Sequence, residues 1–163
     1  MTEAYRLCRL KYSPKSGDGA ERNGGRWNPP GLPAVYSAAH PSLAILEVTI
    51  HFTPEDLPND YGMTRLEIPT GLMLAVPDAD LPHGWDAEED DQHGPSQKFG
   101  RIRWLQNPQA KPVLSVPSSI TGIEYPFERN LVLNPSHPQF TRIRFRETKP
   151  FSFDPRLVRR TGA

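Results

Sequence analysis

Proline is the feature that most restricts how this chain can fold. The sequence contains 19 prolines among 163 residues, whereas about 5% is usual, and they are spread along the chain rather than gathered in one linker. Because proline lacks a backbone N–H and fixes φ, it is excluded from helix interiors and central strands. We therefore expect short helices and strands joined by many ordered turns.

The hydrophobic patterns predict more strands than helices, in mixed order. Apolar or alternating segments predict strands over residues 4–10, 34–38, 63–68, 113–116, 130–134 and 141–145. Helical spacing predicts helices over residues 40–52 and 96–107, and the acidic segment 80–95 is predicted to be an exposed loop. The order favours an α+β fold with a small sheet, in one domain over residues 1–163.

Charge and cysteine content exclude several classes of protein. Lys+Arg and Asp+Glu both number 19, so a large sequence-independent nucleic-acid surface is not expected, whereas a small anion held by a few arginines is. The single Cys8 cannot form an intramolecular disulfide or a multi-cysteine metal site, and it fits a reducing cytoplasm. No segment has the pattern of a signal peptide or a membrane helix, so we expect a soluble cytoplasmic protein.

Several familiar catalytic motifs are absent from the sequence. The five histidines include no pair at i, i+4 spacing, and "GGRWNPPG" lacks the Lys-Ser/Thr pair of a phosphate-binding P-loop. Neither G-x-G-x-x-G nor G-x-S-x-G occurs. The sequence therefore gives no support to a helical metal site, a Rossmann dinucleotide site or a serine hydrolase, and the lack of a histidine pair also disfavours a ribonuclease.

Arg26 and Glu47 are the two charged residues whose positions call for an explanation. Arg26 follows Gly24 and Gly25, which allow close backbone approach to a ligand, and its guanidinium could bind phosphate or carboxylate with two parallel hydrogen bonds. The simpler interpretation is a surface arginine after a turn. Glu47 lies in the helix predicted to start at Pro41, which is apolar nearly all round and hence predicted to be buried. Its simpler interpretations are a helix edge that reaches water or a structural salt bridge.

Other polar and aromatic residues are ambiguous when taken singly. Tyr36, in a predicted buried strand, is typical of a core, and Trp27 is typical of a core or a pocket wall. Ser118 follows a predicted strand, where a turn hydroxyl is common. Asn130 and Asn134 bracket another strand, where they would cap turns.

Taken together and in order, these segments resemble the RES domain, a family named for its arginine, glutamate and serine. The blocks are "GGRWNPPG", "AVYSA", "PSLAILEV", "FGRIRW", "VLSVPSSI", "NLVLNPSHPQF" and "FSFDPRL", and the resemblance spans residues 5–157. It implies catalytic roles for Arg26, Tyr36, Glu47 and Ser118, and contacts with NAD for Arg6, Arg26, Trp27, Tyr36, Ser118 and Asn134.

The resemblance also implies a fold and a function. The expected fold is similar to that of ADP-ribosyltransferase toxins, with a small split β-sheet flanked by helices around an NAD cleft. Family members are toxins of type II toxin–antitoxin pairs, and they cleave NAD at the nicotinamide–ribose bond. NAD is then a substrate, and no cofactor or metal is expected. The expected partner is an Xre-type helix-turn-helix antitoxin in a hetero-oligomer, with a toxin homodimer and without direct nucleic-acid or membrane contact.

Three functions remain open at this point. The first is NAD hydrolysis or phosphorolysis, the second is ADP-ribosylation of a host protein, and the third is a non-catalytic antitoxin-binding module. In the catalytic versions, Glu47 would stabilise the positive charge that develops on the ribose. Arg26 would neutralise the diphosphate and pair with Glu47 in the empty site. Tyr36 would stack on nicotinamide or fix the ribose, and Ser118 would bond the ribose or the carboxamide.

Overall fold

The computed structural model describes residues 1–53, 57–87 and 93–157. Within these residues the strands are β1 (Thr2–Arg9), β2 (Val35–Ala38), β3 (Tyr61–Ile68), β4 (Met73–Ala75), β5 (Val113–Pro117), β6 (Arg129–Leu133), β7 (Arg144–Phe145) and β8 (Lys149–Phe151). The helices are α1 (Asp18–Asn23), α2 (Pro41–Thr49) and α3 (Gly94–Gly100), and α3 continues as a π-helical turn over Arg101–Leu105. The central part of the predicted acidic loop, residues 88–92, lies outside the described residues.

All eight strands of the described chain belong to one sheet. Its order is β4-β5-β6-β2-β1-β3-β7, with β8 also paired to β3. Neighbours are antiparallel except β4 and β5, which are parallel. Strands β1 and β2 meet through one pair, Tyr5 opposite Ala38, whereas β1 and β3 pair along their whole length. The sheet is therefore nearly divided between β2 and β1, and the predicted α+β class is confirmed.

Prolines mark the beginnings of helices, as their number in the sequence suggested. Pro41 opens α2, Pro95 lies at the start of α3, and Pro138 opens the 3₁₀ helix Pro138–Arg142. The first turn of a helix tolerates proline because its N–H groups have no partner within the helix. That 3₁₀ helix corrects the strand predicted over residues 141–145, of which only Arg144–Phe145 is extended.

The prediction that α2 is buried nearly all round was wrong. Leu43 and Ala44 are buried, but Leu46 is 40% exposed and Ile50 is 58% exposed. A helix this short packs one face on β1 and β2, and nothing among the described residues covers the opposite face. An apolar sequence alone does not say which faces a neighbour will cover.

The segment around Trp27 is fixed to the start of the π-helical turn. Trp27 is buried and packs against Phe99, at 6.0 Å between ring centroids, and against Trp85 at 6.3 Å. Gly100 lies so close to the carbonyl of Trp27 that a β-carbon there would collide with it. The sequence blocks "GGRWN" and "FGRIRW" are therefore packed directly on each other.

Candidate functional site

A cleft of about 530 Å³ lies where β1 and β2 separate, and this volume is in the range of small-molecule sites. Strand β1, the loop after α1, β2, α2 and the start of β6 all contribute to its walls. The polar residues discussed below that line the cleft are Arg6, Arg26, Tyr36, Glu47 and Asn130.

Glu47 is held by two hydrogen bonds to the same oxygen. The Ser118 hydroxyl donates to Oε1 at 2.8 Å, and Nδ2 of Asn130 donates to Oε1 at 2.6 Å. The backbone N–H of Ile120 donates to the Ser118 hydroxyl at 3.1 Å, which directs the hydroxyl hydrogen toward Glu47. Among the described residues, Oε2 accepts no hydrogen bond from the protein. The carboxylate is thus immobilised through one oxygen while the residue lines the cleft.

The sheet explains why these three residues meet. Strands β5 and β6 are antiparallel neighbours, with Pro117 opposite Arg129 and Val116 opposite Asn130. The residue after β5, Ser118, therefore lies beside the beginning of β6. Helix α2 then places Glu47 over this end of the strand pair.

Tyr36 organises the glycine-rich loop in front of it. Its hydroxyl accepts a hydrogen bond from the backbone N–H of Trp27 at 3.0 Å and donates to Oδ1 of Asn28 at 2.7 Å. A β-carbon on Gly25 would lie 2.5 Å from that hydroxyl, so the close approach requires glycine. Burial strongly raises the pKa of Tyr36, although the Trp27 N–H and the charge of Arg26 oppose this. The phenol therefore stays neutral and keeps its donor.

Arg6 and Arg26 bring positive charge to the cleft. Nη1 of Arg6 donates to the carbonyl of Tyr36 at 3.0 Å and Nη2 to that of Ser16 at 3.1 Å, and burial lowers the pKa of Arg6. Nη1 of Arg26 donates to the carbonyls of Trp85 at 2.7 Å and Ala87 at 2.8 Å. Nη1 of Arg26 is therefore directed at the 85–87 segment, and not at Glu47 as predicted from the sequence for a site without NAD.

Four of the predicted site residues line the cleft and three lie outside its lining. Arg6, Arg26, Tyr36 and Glu47 are in the walls. Ser118 is completely buried behind Glu47, and Trp27 is buried between Trp85 and Phe99. Asn134 lies just past the far end of β6, where its Oδ1 accepts from the N–H of Ser136 at 3.0 Å.

Two asparagines near the cleft were not recognised as important from the sequence. Asn130 was interpreted as a turn cap but lies within β6 and contacts Glu47. Asn28 is fully buried and donates to the carbonyls of Ala20 and Leu32, both at 2.8 Å. The available signal for Asn130 was a polar side chain directly before the apolar run Leu131–Leu133 of β6.

In residues 1–53, 57–87 and 93–157, no three His, Cys, Asp or Glu side chains are grouped as a metal ion would need. None of the helices in this part of the chain is long and apolar enough to cross a membrane.

The fold and cleft define an α+β protein with one nearly divided sheet, a cationic cleft and an immobilised carboxylate. The chain belongs to the RES domain family, since the sequence model of that family matches residues 3–154. The family predicted from the sequence blocks is therefore confirmed.

Relatives of known name extend over most of this chain. It is 37% identical over 148 residues to the "Prs ADP-ribosylating toxin" of Sphingobium sp. strain YBL2, with 89% of this chain and 87% of the relative covered. It is 36% identical over 160 residues to "Toxin Res" of Photorhabdus laumondii, with 95% and 96% covered.

A solved structure has the same fold. A chain of the M. tuberculosis MbcT–MbcA toxin–antitoxin complex superposes with a TM-score of 0.67, at 22% identity, over 96% of this chain and 86% of that chain. At this identity the likeness establishes the fold alone.

Proposed function

We propose that this protein is the toxin of a type II toxin–antitoxin pair and that it cleaves the nicotinamide–ribose bond of NAD in the cleft. The observation that carries the proposal is Glu47, fixed through Oε1 by Ser118 and Asn130 while the residue lines the cleft. The toxin role is supported by membership of the RES family and by the names of relatives that match nearly the whole chain.

The chemistry requires an anion at the reacting sugar. When the bond breaks, its electron pair leaves with nicotinamide, which departs neutral because it was cationic in NAD. Positive charge then develops on the ribose C1′ and ring oxygen. A carboxylate already fixed beside that position stabilises the charge without reorganising during the reaction. An acceptor then forms a bond to C1′ and loses its proton.

The two cleft arginines are suited to the diphosphate of NAD. Arg6 is partly buried, with carbonyl partners that do not neutralise its charge, and a charge removed from water is stabilised by an opposite charge. Arg26 supplies a second positive charge from the facing loop. We place the diphosphate between these two arginines and the nicotinamide ribose against Glu47, with the ring of Tyr36 forming part of the wall.

The remaining predicted site residues act indirectly in this proposal. Ser118 holds Glu47, since its hydroxyl is buried behind the carboxylate. Trp27 supports the loop that carries Arg26, through its packing with Trp85. Asn134 would reach NAD only after a rearrangement of the far end of β6.

A protein acceptor is a second candidate, which would make the chain an ADP-ribosyltransferase. A relative at 37% identity is named an ADP-ribosylating toxin. The segment that follows Ser118 exposes Ile123, Tyr125 and Phe127, and exposed apolar groups of this kind mark surfaces that contact other proteins.

The same surface is suited to binding a partner antitoxin. We propose that this antitoxin is of the Xre type and that it forms a hetero-oligomer with a homodimer of the toxin. We propose that the toxin acts in the cytoplasm, where the Cys8 thiol stays reduced.

Incubation of the purified toxin with NAD, with and without phosphate, tests the proposal. Nicotinamide and the ribosyl product are separated by chromatography. Free ADP-ribose establishes hydrolysis, and a phosphorylated product that requires phosphate establishes phosphorolysis. Turnover that requires a cell extract, with label appearing on a protein, establishes the transferase. A folded protein that neither cleaves nor binds NAD contradicts every catalytic version and favours an antitoxin-binding module.

A further inference from the structure

The amide of Asn130 has its orientation fixed by Glu47. A carboxylate oxygen can only accept hydrogen bonds, so the group 2.6 Å from Oε1 is the NH₂ of Asn130. Asn130 itself is anchored in the middle of the sheet, with Ala38 on one side and Val116 on the other. The donor is therefore presented by a rigid strand and not by a loop.

Ser118 alone would not fix the carboxylate. One hydrogen bond to one oxygen leaves the carboxylate free to turn about that contact, whereas two donors from different directions remove this freedom. Ser118 comes from the end of β5 and Asn130 from β6, and both are bonded to Oε1. With Oε1 occupied in this way, Oε2 is the oxygen left for a group in the cleft.

We propose that Asn130 is a positioning residue of the reaction: with Ser118 it holds Oε1 of Glu47, so that Oε2 is the oxygen presented to the reacting ribose. This inference rests on the proposed NAD cleavage. A misplacement of about 1 Å at a reacting group can cost about 100-fold in rate. Loss of Asn130 should therefore lower kcat far more than it changes binding.

The test compares Asn130→Ala with Asn130→Asp, using purified protein and NAD. Aspartate has the shape of asparagine but lacks the donor and adds a repelling charge. We expect kcat to fall about 10- to 100-fold in both variants, and KM for NAD to change less than about 3-fold. Asn107→Asp, at a position outside the cleft whose Oδ1 acceptor is retained, is the matched control, and its kcat should stay within about 2-fold of wild type.

A merely structural role predicts something different. It would lower the yield of folded protein in both variants and leave kcat per folded molecule unchanged. Either wild-type kcat in Asn130→Ala or rescue by Asn130→Asp would overturn the proposal.

A crystal structure of Asn130→Ala gives a result that does not depend on turnover. We expect the Glu47 carboxylate to move from its place or to occupy more than one conformation. An unmoved carboxylate would overturn the positioning role even if NAD is cleaved. If the wild-type protein fails to cleave NAD, the proposed function falls, and the structure of the variant still decides whether Asn130 positions Glu47.

Discussion

The hydroxyl of Ser118 lies 2.8 Å from Oε1 of Glu47, although the two residues are 71 positions apart in the sequence. The glutamate and the serine that the resemblance to the RES domain singled out are thus directly bonded in this chain. The contact also places Ser118 behind the carboxylate, fully buried, where it supports Glu47. The resemblance to the RES domain implied instead a direct contact between Ser118 and NAD.

Replacing Glu47 by glutamine should abolish most NAD cleavage while leaving the fold intact. Glutamine keeps an oxygen that can accept from Ser118 and Asn130 but loses the charge that stabilises the ribose cation. Removal of one electrostatic group at such a site costs about 100-fold or more in kcat. Nicotinamide release and thermal unfolding, measured on the same preparation, check both parts.

The exposed Glu147 gives the matched control. Glu147→Gln makes the same chemical change at an exposed position outside the cleft lining, between β7 and β8, and should leave kcat within about 2-fold. Full activity in Glu47→Gln would remove Glu47 from the mechanism.

Replacing Arg26 by alanine should weaken NAD binding by at least about 10-fold, because a charge-assisted contact to phosphate contributes about 1.5–3 kcal/mol. Arg26→Lys keeps the charge but not the planar fork, so an intermediate affinity is expected. Calorimetric titration with NAD measures both. Equal affinities for wild type and Arg26→Ala would contradict the diphosphate role.

The parts of the fold that were predicted correctly depend on local chemistry. Pro41 predicted where α2 starts because a proline can occupy only the first turn of a helix. The apolar runs of β5 and β6 predicted buried strands, and all residues of β5 are buried. The ordered blocks then identified the family.

What the sequence did not reveal depends on pairings between distant segments. In the sequence, Asn130 has the position of a turn cap. In the fold, β5 and β6 pair at Asn130 and its side chain contacts Glu47 of α2. The carbonyls that bind Arg26 come from residues 59 and 61 positions away. The exposure of Leu46 and Ile50 likewise follows from what packs on α2, which no local pattern encodes.

Replacing Phe127 by aspartate should impair antitoxin binding and spare NAD cleavage. Phe127 is 80% exposed, so its loss should change the free energy of unfolding by no more than about 0.5 kcal/mol. A buried aromatic anchor in an interface contributes about 2 kcal/mol or more, which is at least about a 30-fold loss of affinity. Ile102→Asp, at another exposed apolar position, is the control. Wild-type affinity of Phe127→Asp for the cognate antitoxin would exclude this surface from the interface.

Replacing Gly100 by alanine should destabilise the protein by about 1–3 kcal/mol. The added methyl would collide with the carbonyl of Trp27, which is backbone and cannot move aside cheaply. Gly94→Ala, in the same helix with open space around it, should be neutral or stabilising because alanine favours helix. Urea unfolding of both variants checks the contrast, and equal stability of the two would contradict the close packing described here.

Replacing Tyr36 by phenylalanine should destabilise the protein at neutral pH and less so at high pH. Below about pH 9, the variant leaves the buried Trp27 N–H and Asn28 Oδ1 without their partner, which costs about 1–3 kcal/mol.

Burial raises the pKa of Tyr36 in the folded protein, whereas in the unfolded chain Tyr36 ionises near the usual value of about 10. Above that pH the unfolded wild-type chain releases a proton that the folded protein retains, so the free energy of unfolding of the wild type falls. The phenylalanine variant has no proton to release at this position and does not lose stability in this way. The difference in unfolding free energy between wild type and Tyr36→Phe should therefore be constant up to about pH 9 and should shrink by pH 11. Tyr12→Phe, at an exposed position, should show a difference of no more than about 0.5 kcal/mol throughout. A Tyr36→Phe difference that stays constant to pH 11 would show that the phenol of Tyr36 is not held neutral in the folded protein.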